Sequence, residues 1–483
     1  MSWVAAGLEL ATLGLAIVVL ALDLAAPRGR PGARRGALFA IAGGGLIAVL
    51  AASRYAPLQA SLGPAYVQDP FALIVKRVLL AAALLAVVGL APYARRFRLN
   101  DRSGEAIVLL LFATVGGMAL VSAREWLTLF VAFELLSLPL YVLTALEKES
   151  RRAVEGAFKI FLFGSVSSAV LLLGIALAVA ASGTTFWMQA SWTPHDPLTA
   201  LAIALILAGF GFKIAAFPFA LWAPDAYQAA PAPVVAFLSV APKAAAVAAL
   251  FRLTFEVLLP AGVSLQTSVS ILAGASMVIG NLLALRQTDL KRLLAFSGIA
   301  QIGYVLAALA AGSSLGAGLA LFFFLAYLIG NGGAFLVVAA LQISGEEPTL
   351  DGCRGLVRRA PALAGALVIF LLSLGGIPFV LGFWGKLYVF LAAAQAGLWW
   401  LVVLGALLAV VALYYYLNVA HRVLIAPPSG PQLETPRLLL TTILLCAALL
   451  TVFGVFPRPL VDGCLAAAGA LRPPPRVTNS QSP

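Results

Sequence analysis

Five ionisable side chains sit inside stretches of sequence that are otherwise apolar: Glu134, Lys213, Lys243, Lys386 and, nearer the start of its stretch, Lys159. In a bilayer-crossing segment such a group costs at least ~2.5–3.5 kcal/mol on insertion scales, so its presence points to a task. Low-dielectric surroundings disfavour the charged form of either type and bring it toward neutrality, where a proton is taken up and released. A Glu and a Lys in one such site titrate as a coupled pair, so moving one partner changes the proton affinity of the other. A row of lysines joined by water can then pass a proton along. The competing reading is a fixed ion pair between Glu134 and a lysine that only orients helices. Buried pairs are poor stabilisers against apolar replacement, and three deeply placed lysines for one Glu leave excess positive charge. For Lys159 the competing reading is snorkelling to the membrane interface.

Prolines stand beside these groups. Pro242 precedes Lys243 and leaves the carbonyl of Leu238 without a helical donor. Pro218 does the same for Ile214, next to Lys213, and Pro378, after Gly375 and Gly376, for Leu374. Freed carbonyls survive at membrane depth only when buried in protein or facing water. A plain helix kink is the alternative at each proline.

The elements that must hold these residues are transmembrane helices. The chain has 483 residues, of which 62% are hydrophobic and only 10% charged, against about 25% charged in soluble domains. Apolar runs long enough to cross a bilayer lie near 3–25, 36–53, 71–93, 104–122, 125–146, 157–181, 199–220, 231–257, 266–286, 291–311, 315–343, 361–392, 397–421 and 436–457. The expected fold class is an all-α polytopic membrane protein of about fourteen transmembrane helices. The run at 4–24 has no basic segment before it and reads as a retained helix rather than a signal peptide.

The net charge of +12 is spread over short clusters between the runs, which is a topology signal and not a nucleic-acid surface. Arg28, Arg30, Arg34 and Arg35 follow the first run, and Arg95, Arg96, Arg98 and Arg102 the third. Lys148, Arg151 and Arg152 follow the fifth, Arg286, Lys291 and Arg292 the ninth, and Arg354, Arg358 and Arg359 the eleventh. The other face offers Arg54, Lys76, Arg77, Arg124 and Arg252. The bias places the first set in the cytoplasm and both termini on the far, periplasmic side. The tail from Arg472 is Pro-rich, polar and expected to be disordered.

An internal echo links two runs. Pro218-Phe219-Ala220-Leu221 returns as Pro378-Phe379-Val380-Leu381, late in the seventh and twelfth runs, with Trp222 and Trp384 following. Runs five apart cross in opposite directions, as inverted-topology repeats do, and interrupted helices in such repeats mark ion paths.

Several chemistries are not supported. Cys353, Cys446 and Cys464 lack metal-ligand spacing, and His195 and His421 lie outside the middles of the runs, which argues against haem. No Walker A motif or strand-linked G-x-G-x-x-G occurs, so the chain is expected to hold no nucleotide or redox cofactor of its own. Ser165, Ser167 and Ser168 beside Gly164 read as close helix packing, and Tyr414, Tyr415 and Tyr416 as packing or an interfacial belt. His195 reads as a surface residue and His421 as a helix-end cation.

Six segments together resemble a known family. They are Phe133-Glu134-Leu135-Leu136-Ser137-Leu138-Pro139-Leu140-Tyr141; Gly211-Phe212-Lys213-Ile214-Ala215 with Trp222-Ala223-Pro224-Asp225-Ala226-Tyr227; Ala230-Pro231-Ala232-Pro233 through Ala241-Pro242-Lys243; Lys291-Arg292-Leu293-Leu294-Ala295-Phe296-Ser297 with Gly303-Tyr304; Gly382-Phe383-Trp384-Gly385-Lys386; and Tyr415-Tyr416-Leu417. They resemble the subunit N family of bacterial NADH:quinone oxidoreductase (respiratory complex I), antiporter-like proton translocators with a mitochondrial counterpart in subunit 2.

The resemblance implies two inverted five-helix repeats with discontinuous helices 7 and 12. Three N-terminal helices would occupy 1–100, the first repeat 101–260 (helices 4–8), the second 261–425 (helices 9–13), a last helix 426–460 and a polar tail 461–483. It implies that Glu134 pairs with Lys213, that the path runs on through Lys243 to Lys386, and that Lys159 feeds it. It also implies that NADH, FMN, iron–sulfur clusters and quinone are bound by other subunits of a membrane complex in the bacterial inner membrane.

The chain departs from that pattern at Ala220 and Gln301, where the family usually carries His, and at Ala229 and Phe379, where it usually carries Gly and Pro. Ala220 cannot bind water or a proton; Gln301 can hydrogen-bond water. Two rival readings share the residues: a cation/proton antiporter subunit of a Mrp-type or hydrogenase-linked complex, and a membrane scaffold without transport.

Overall fold

The computed structural model describes residues 3–25, 31–97, 99, 102–190, 192, 196–260, 262–428 and 430–471. The apolar runs become helices whose ends are set by caps. Asp69 accepts from the Ala72 N–H at 2.8 Å and is followed by Pro70, the first residue of its helix, where no N–H is needed. Asp196 with Pro197 repeats that arrangement, and Asp289, Ser150 and Ser313 cap three more helices.

The first half of the chain contains α1 (Gly7–Ala25), α2 (Pro31–Ala52), a two-residue hairpin of β1 (Ala60–Ser61) and β2 (Val67–Gln68), α3 (Pro70–Arg96), α4 (Ser103–Ser122), α5 (Trp126–Thr144), α6 (Arg151–Ser182), α7 (Pro197–Ile214), α8 (Trp222–Ala229), α9 (Ala232–Leu238) and α10 (Ala241–Leu253). The second half contains α11 (Gln266–Ala284), α12 (Leu290–Ala310), α13 (Ser314–Ile343), the single turn α14 (Leu356–Arg359), α15 (Pro361–Gly375), α16 (Leu381–Gln395), α17 (Trp399–Leu424), α18 (Arg437–Val455) and α19 (Arg458–Ala468).

Among the described residues 13 helical segments are long and apolar enough to cross a membrane. A fourteenth crossing is split into α15 and α16, each of 15 residues. The seventh crossing breaks at 215–221 and the twelfth at 376–380, so the proline echo falls on both breaks. At the first break the chain turns at Ala215 (φ 56°), and at the second at Gly376 (φ 83°) and Phe379 (φ 72°).

The structure corrects three expectations. The run at 231–257 is not one helix: it breaks at Ser239 and Val240, just before Pro242 and Lys243, and ends in a π-helical turn at Thr254–Leu258. The polar tail does not begin at 461, because α19 buries Val461, Cys464, Ala467 and Ala468 and packs on α13. Lys76, Arg252 and Lys291 are not loop cations; each lies on a helix at 2% exposure or less. The expected disorder after Arg472 concerns residues outside those described.

The crossings built from α9–α10 and from α12 have their apolar windows wholly buried, whereas those of α2, α17 and α18 are only a third buried. The wholly buried pair carries Lys243 and Gln301, so the candidate residues lie at the centre of the bundle. Two glycines allow close approaches between neighbouring helices. A Cβ on Gly280 of α11 would meet the Ala300 backbone of α12, and one on Gly116 of α4 the Leu135–Leu136 backbone of α5. Gly280→Val is expected to destabilise the protein by about 1–3 kcal/mol through overpacking. A melting temperature equal to wild type in detergent excludes that close contact.

Candidate functional site

Glu134 is half-buried at the middle of α5, and Ser168 of α6 donates a hydrogen bond to its Oε1. Ser168 is therefore more than packing; Ser167, which donates to the Gly209 carbonyl at 3.1 Å, does join α6 to α7. Lys213 lies in the last turn of α7, at the break, and its Nζ donates to Ser137, one turn along α5 from Glu134. The ring centroid of Phe133 lies 4.2 Å from the ammonium. Glu134 and Lys213 form no ion pair within 4.0 Å, so the two groups share one helix face without touching. The break is held by Trp222, whose indole donates to the Phe212 carbonyl at 3.1 Å, and by Ser276, which accepts from the Phe217 N–H at 2.9 Å.

Lys243 is 1% exposed and donates to the Gly298 carbonyl at 3.2 Å. The rings of Tyr227 and Tyr327 stand 5.8 and 6.0 Å away, within cation–π range. Lys386, on α16 just past the second break, donates to the Gly375 carbonyl at 3.1 Å, with the Tyr304 ring at 5.1 Å. Lys213, Lys243 and Lys386 have no carboxylate within 4.0 Å among the described residues.

A polar thread lies between the last two lysines. Beside Gly298, Ser297 shares a hydrogen bond with the Tyr416 hydroxyl. Gln301 donates to that same hydroxyl at 3.5 Å and to the Leu374 carbonyl at 3.0 Å. Leu374 is the acceptor that Pro378 was expected to free, and it neighbours Gly375, on which Lys386 rests. The hydroxyls of Tyr227, Tyr304 and Tyr327 and the Asn331 Oδ1 are buried around this thread without a protein partner. Sequence reasoning missed Tyr416, since Tyr414 in the same run is 67% exposed and only the helical phase turns Tyr415 and Tyr416 inward. No comparable thread appears between Lys213 and Lys243, and Ala220, at 1% exposure, supplies no polar atom there.

Lys159 is brought elsewhere. Its Nζ pairs with Asp225 of α8 at 2.9 Å and with Glu155 at 2.7 Å, and it is 38% exposed. Arg292 binds the other Asp225 oxygen at 2.6 Å, Gln228 donates to Asp289 at 2.8 Å, and Lys291 donates to the Gln228 and Ala230 carbonyls. The cluster ties α6 and α8 to the start of α12. Burial acts to raise the Asp225 carboxyl, but hydrogen bonds from Lys159 and Arg292 outweigh it and hold the group below its ordinary 3.8. A depressed carboxylate contributes stability that is present above its unfolded value and lost as pH falls through the folded one. The melting-temperature difference between wild type and Asp225→Asn is therefore expected to stay constant from about pH 5 to 8 and to shrink below about pH 4. A difference that grows on acidification contradicts this assignment.

A second charged cluster escaped the sequence reading. Lys76 pairs with Glu9 at 2.8 Å and touches Gln68 and the Tyr66 hydroxyl. Arg252, fully buried, pairs with Asp69 and Glu256 at 2.8 Å each, and Arg124 grips Glu256 at 2.7 Å. These groups come from α1, the cap and first turns of α3, α10, the π-helical turn that follows it and the α4–α5 link. The signal was present in the form of ionisable residues at the ends of apolar runs, including Arg252 and Glu256 four apart. His421 lies exposed in the last turn of α17, as a helix-end cation does; His195 lies outside the described residues. Among the described residues no three His, Cys, Asp or Glu side chains gather as a metal site.

A bundle of crossing helices, three of them broken beside buried lysines, defines an antiporter-like membrane subunit. Residues 123–412 match the family described as NADH:quinone oxidoreductase/Mrp antiporter, transmembrane, and the chain belongs to that family. A relative from Moorella thermoacetica named NADH-quinone oxidoreductase subunit N is 37% identical over 95% of this chain and 97% of its own. One from Acidobacterium capsulatum, NADH-quinone oxidoreductase subunit N 2, is 39% identical over 94% and 96%. A chain of respiratory complex I from Thermus thermophilus superposes with a TM-score of 0.81 at 33% identity, covering 94% of this chain and 98% of that one. A chain of the Mrp complex from Dietzia sp. shares the fold, with a TM-score of 0.84 at 22% identity over 98% of both.

Proposed function

We propose that this chain is the subunit N of a bacterial NADH:quinone oxidoreductase, a proton-translocating subunit of its membrane arm. Glu134, Lys213, Lys243 and Lys386 serve as the proton relay, and Lys159 as a cytoplasmic-side contributor. The carrying observation is a row of three buried lysines with no carboxylate within 4.0 Å among the described residues, two of them flanking the Ser297–Tyr416–Gln301 thread. Partner subunits bind NADH, FMN, iron–sulfur clusters and quinone. The chain sits in the inner membrane with both termini toward the periplasm.

A charge displacement arriving from the partner subunits acts first at Glu134. The carboxylate and Lys213 are separated by one turn of α5 with Ser137 between them, so moving either group changes the balance at the other. A proton leaving Lys213 passes to Lys243, beside which the buried Tyr227 and Tyr327 hydroxyls are groups that buried water satisfies. From Lys243 it passes to Lys386, and out, through water that the Ser297, Tyr416 and Gln301 side chains orient. Gln301 orients the thread where the family usually has a titrating His, and so hands on hydrogen bonds without storing a proton.

A Mrp-type antiporter subunit is the second reading, since a chain of a Mrp complex shares the fold. Co-purification of a tagged chain in mild detergent separates the two. A large assembly with NADH:quinone activity supports the first; a small assembly without NADH-oxidising partners overturns it in favour of the second.

A further inference from the structure

Given a relay through Lys243, we infer that Tyr327 is the positioning residue for the step by which a proton leaves that lysine, holding a water against the bare face of Gly298. The Lys243 ammonium has three donors, and its hydrogen bond to the Gly298 carbonyl at 3.2 Å uses one. Among the described residues no other protein group accepts from it. Gly298 itself carries no side chain where Lys243 meets α12. A Cβ there would lie 2.8 Å from the Tyr327 hydroxyl and 3.1 Å from the Lys243 Nζ, with no other atom of a neighbouring helix within 4 Å. Hydroxyl and ammonium therefore face the same bare stretch of α12, no more than about 6 Å apart, a span of the size that one water bridges.

Tyr327 is 3% exposed and its hydroxyl is buried without a protein partner. A hydroxyl both donates and accepts, so it can take a hydrogen bond from one side of a water chain and give one on the other. It also lies within electrostatic reach of the Tyr416 hydroxyl, which Ser297 and Gln301 hold. Tyr327 thus neighbours both Lys243 and the polar thread. Its own place is fixed from two sides. Phe323, one turn earlier on α13, stacks on its ring at 6.2 Å and 23°. Asn331, one turn later, donates to Ser239 at 2.7 Å, and Ser239 lies in the break from which the Lys243 segment starts. That clasp sets α13 against the lysine. The competing reading is a ring that only packs on the ammonium. At 6.0 Å the Tyr327 ring stands at the outer limit of that interaction.

The test uses the intact assembly in inverted vesicles, with dye-quench pumping measured in H2O and in D2O and the melting temperature of the purified assembly as the control for folding. Tyr327→Phe keeps the ring and its stack and removes only the hydroxyl. Pumping is expected to fall about fivefold and its deuterium isotope effect to rise, a change that lost packing does not produce, with the melting temperature unchanged. Gly298→Ala places a methyl group in the water's space. The atoms it meets are the free ends of two flexible side chains, and alanine suits a helix better than glycine, so the fold is retained while pumping falls by a similar factor. The double variant is expected to fall no further than either single one, because both act on the same water. Wild-type pumping in Tyr327→Phe assigns Tyr327 to packing and overturns the inference. Loss in Tyr327→Phe with wild-type pumping in Gly298→Ala overturns the water site. Lys243→Met separates the two levels: wild-type pumping there removes the relay itself, whereas loss there with wild-type pumping in Tyr327→Phe removes only the Tyr327 step.

Discussion

Replacing Lys213 with alanine is expected to lower coupled proton pumping by roughly tenfold, the effect of a barrier raised by about 1.4 kcal/mol. The fold should survive, because the ammonium rests on the Ser137 hydroxyl and the Phe133 ring and makes no ion pair that the substitution would break. Lys213→Arg sharpens the experiment. Arginine keeps its proton at any working pH, so it satisfies a site that needs only a fixed cation and fails a site that must release one. A relay predicts loss in both variants; an orienting charge predicts rescue by arginine. Dye-quench pumping and NADH:quinone turnover in inverted vesicles read the difference, and wild-type values in both variants remove Lys213 from the path.

Lys243→Met carries the second large effect. Lys243 is 1% exposed, has no ion-pair partner among the described residues, and has Gly298 and two tyrosine rings as its surroundings. Breaking a buried ion pair by removing one partner costs about 3–5 kcal/mol, because the other charge is stranded. Nothing is stranded here, so the melting temperature is expected to stay equal or to rise. Pumping is expected to fall by an order of magnitude or more, since the polar thread toward Lys386 loses its donor at one end. A destabilised protein that still pumps identifies Lys243 as a structural group instead. Intact pumping in Lys243→Met, Lys386→Ala and Glu134→Gln together turns the chain into a scaffold.

Much of the fold was legible because the bilayer imposes one length on every crossing. The breaks at 215–221 and 376–380 were legible through Pro218 and Pro378, and the freed Leu374 carbonyl was found with a donor, Gln301. The break before Lys243 was not drawn, although Pro242 had marked the spot, since an apolar run does not show where its hydrogen bonds stop. The amphipathic α19 is too short and too polar to register as a crossing. Of the site, residue types and depths could be read, but not partners. Lys213 meeting Ser137 rather than Glu134 depends on the rotation of α5 against α7, and Lys159 facing Asp225 depends on contacts 66 residues apart. Arg252 and Lys76 were counted as loop charges because their partners, Asp69 and Glu9, are remote along the chain.

The ion pair between Glu9 and Lys76 has a consequence for biogenesis. Glu9 belongs to α1, and the lysine that neutralises it belongs to α3, which is synthesised later. Until α3 arrives, α1 carries an uncompensated acid at its end, and Asp69 awaits Arg252, still further along, in the same way. The early helices therefore gain from being held together beside the insertion machinery and released as a group. A shortened chain that begins after α1 inherits a buried, orphaned Lys76, so trimming the N-terminus requires replacing that lysine in the same step.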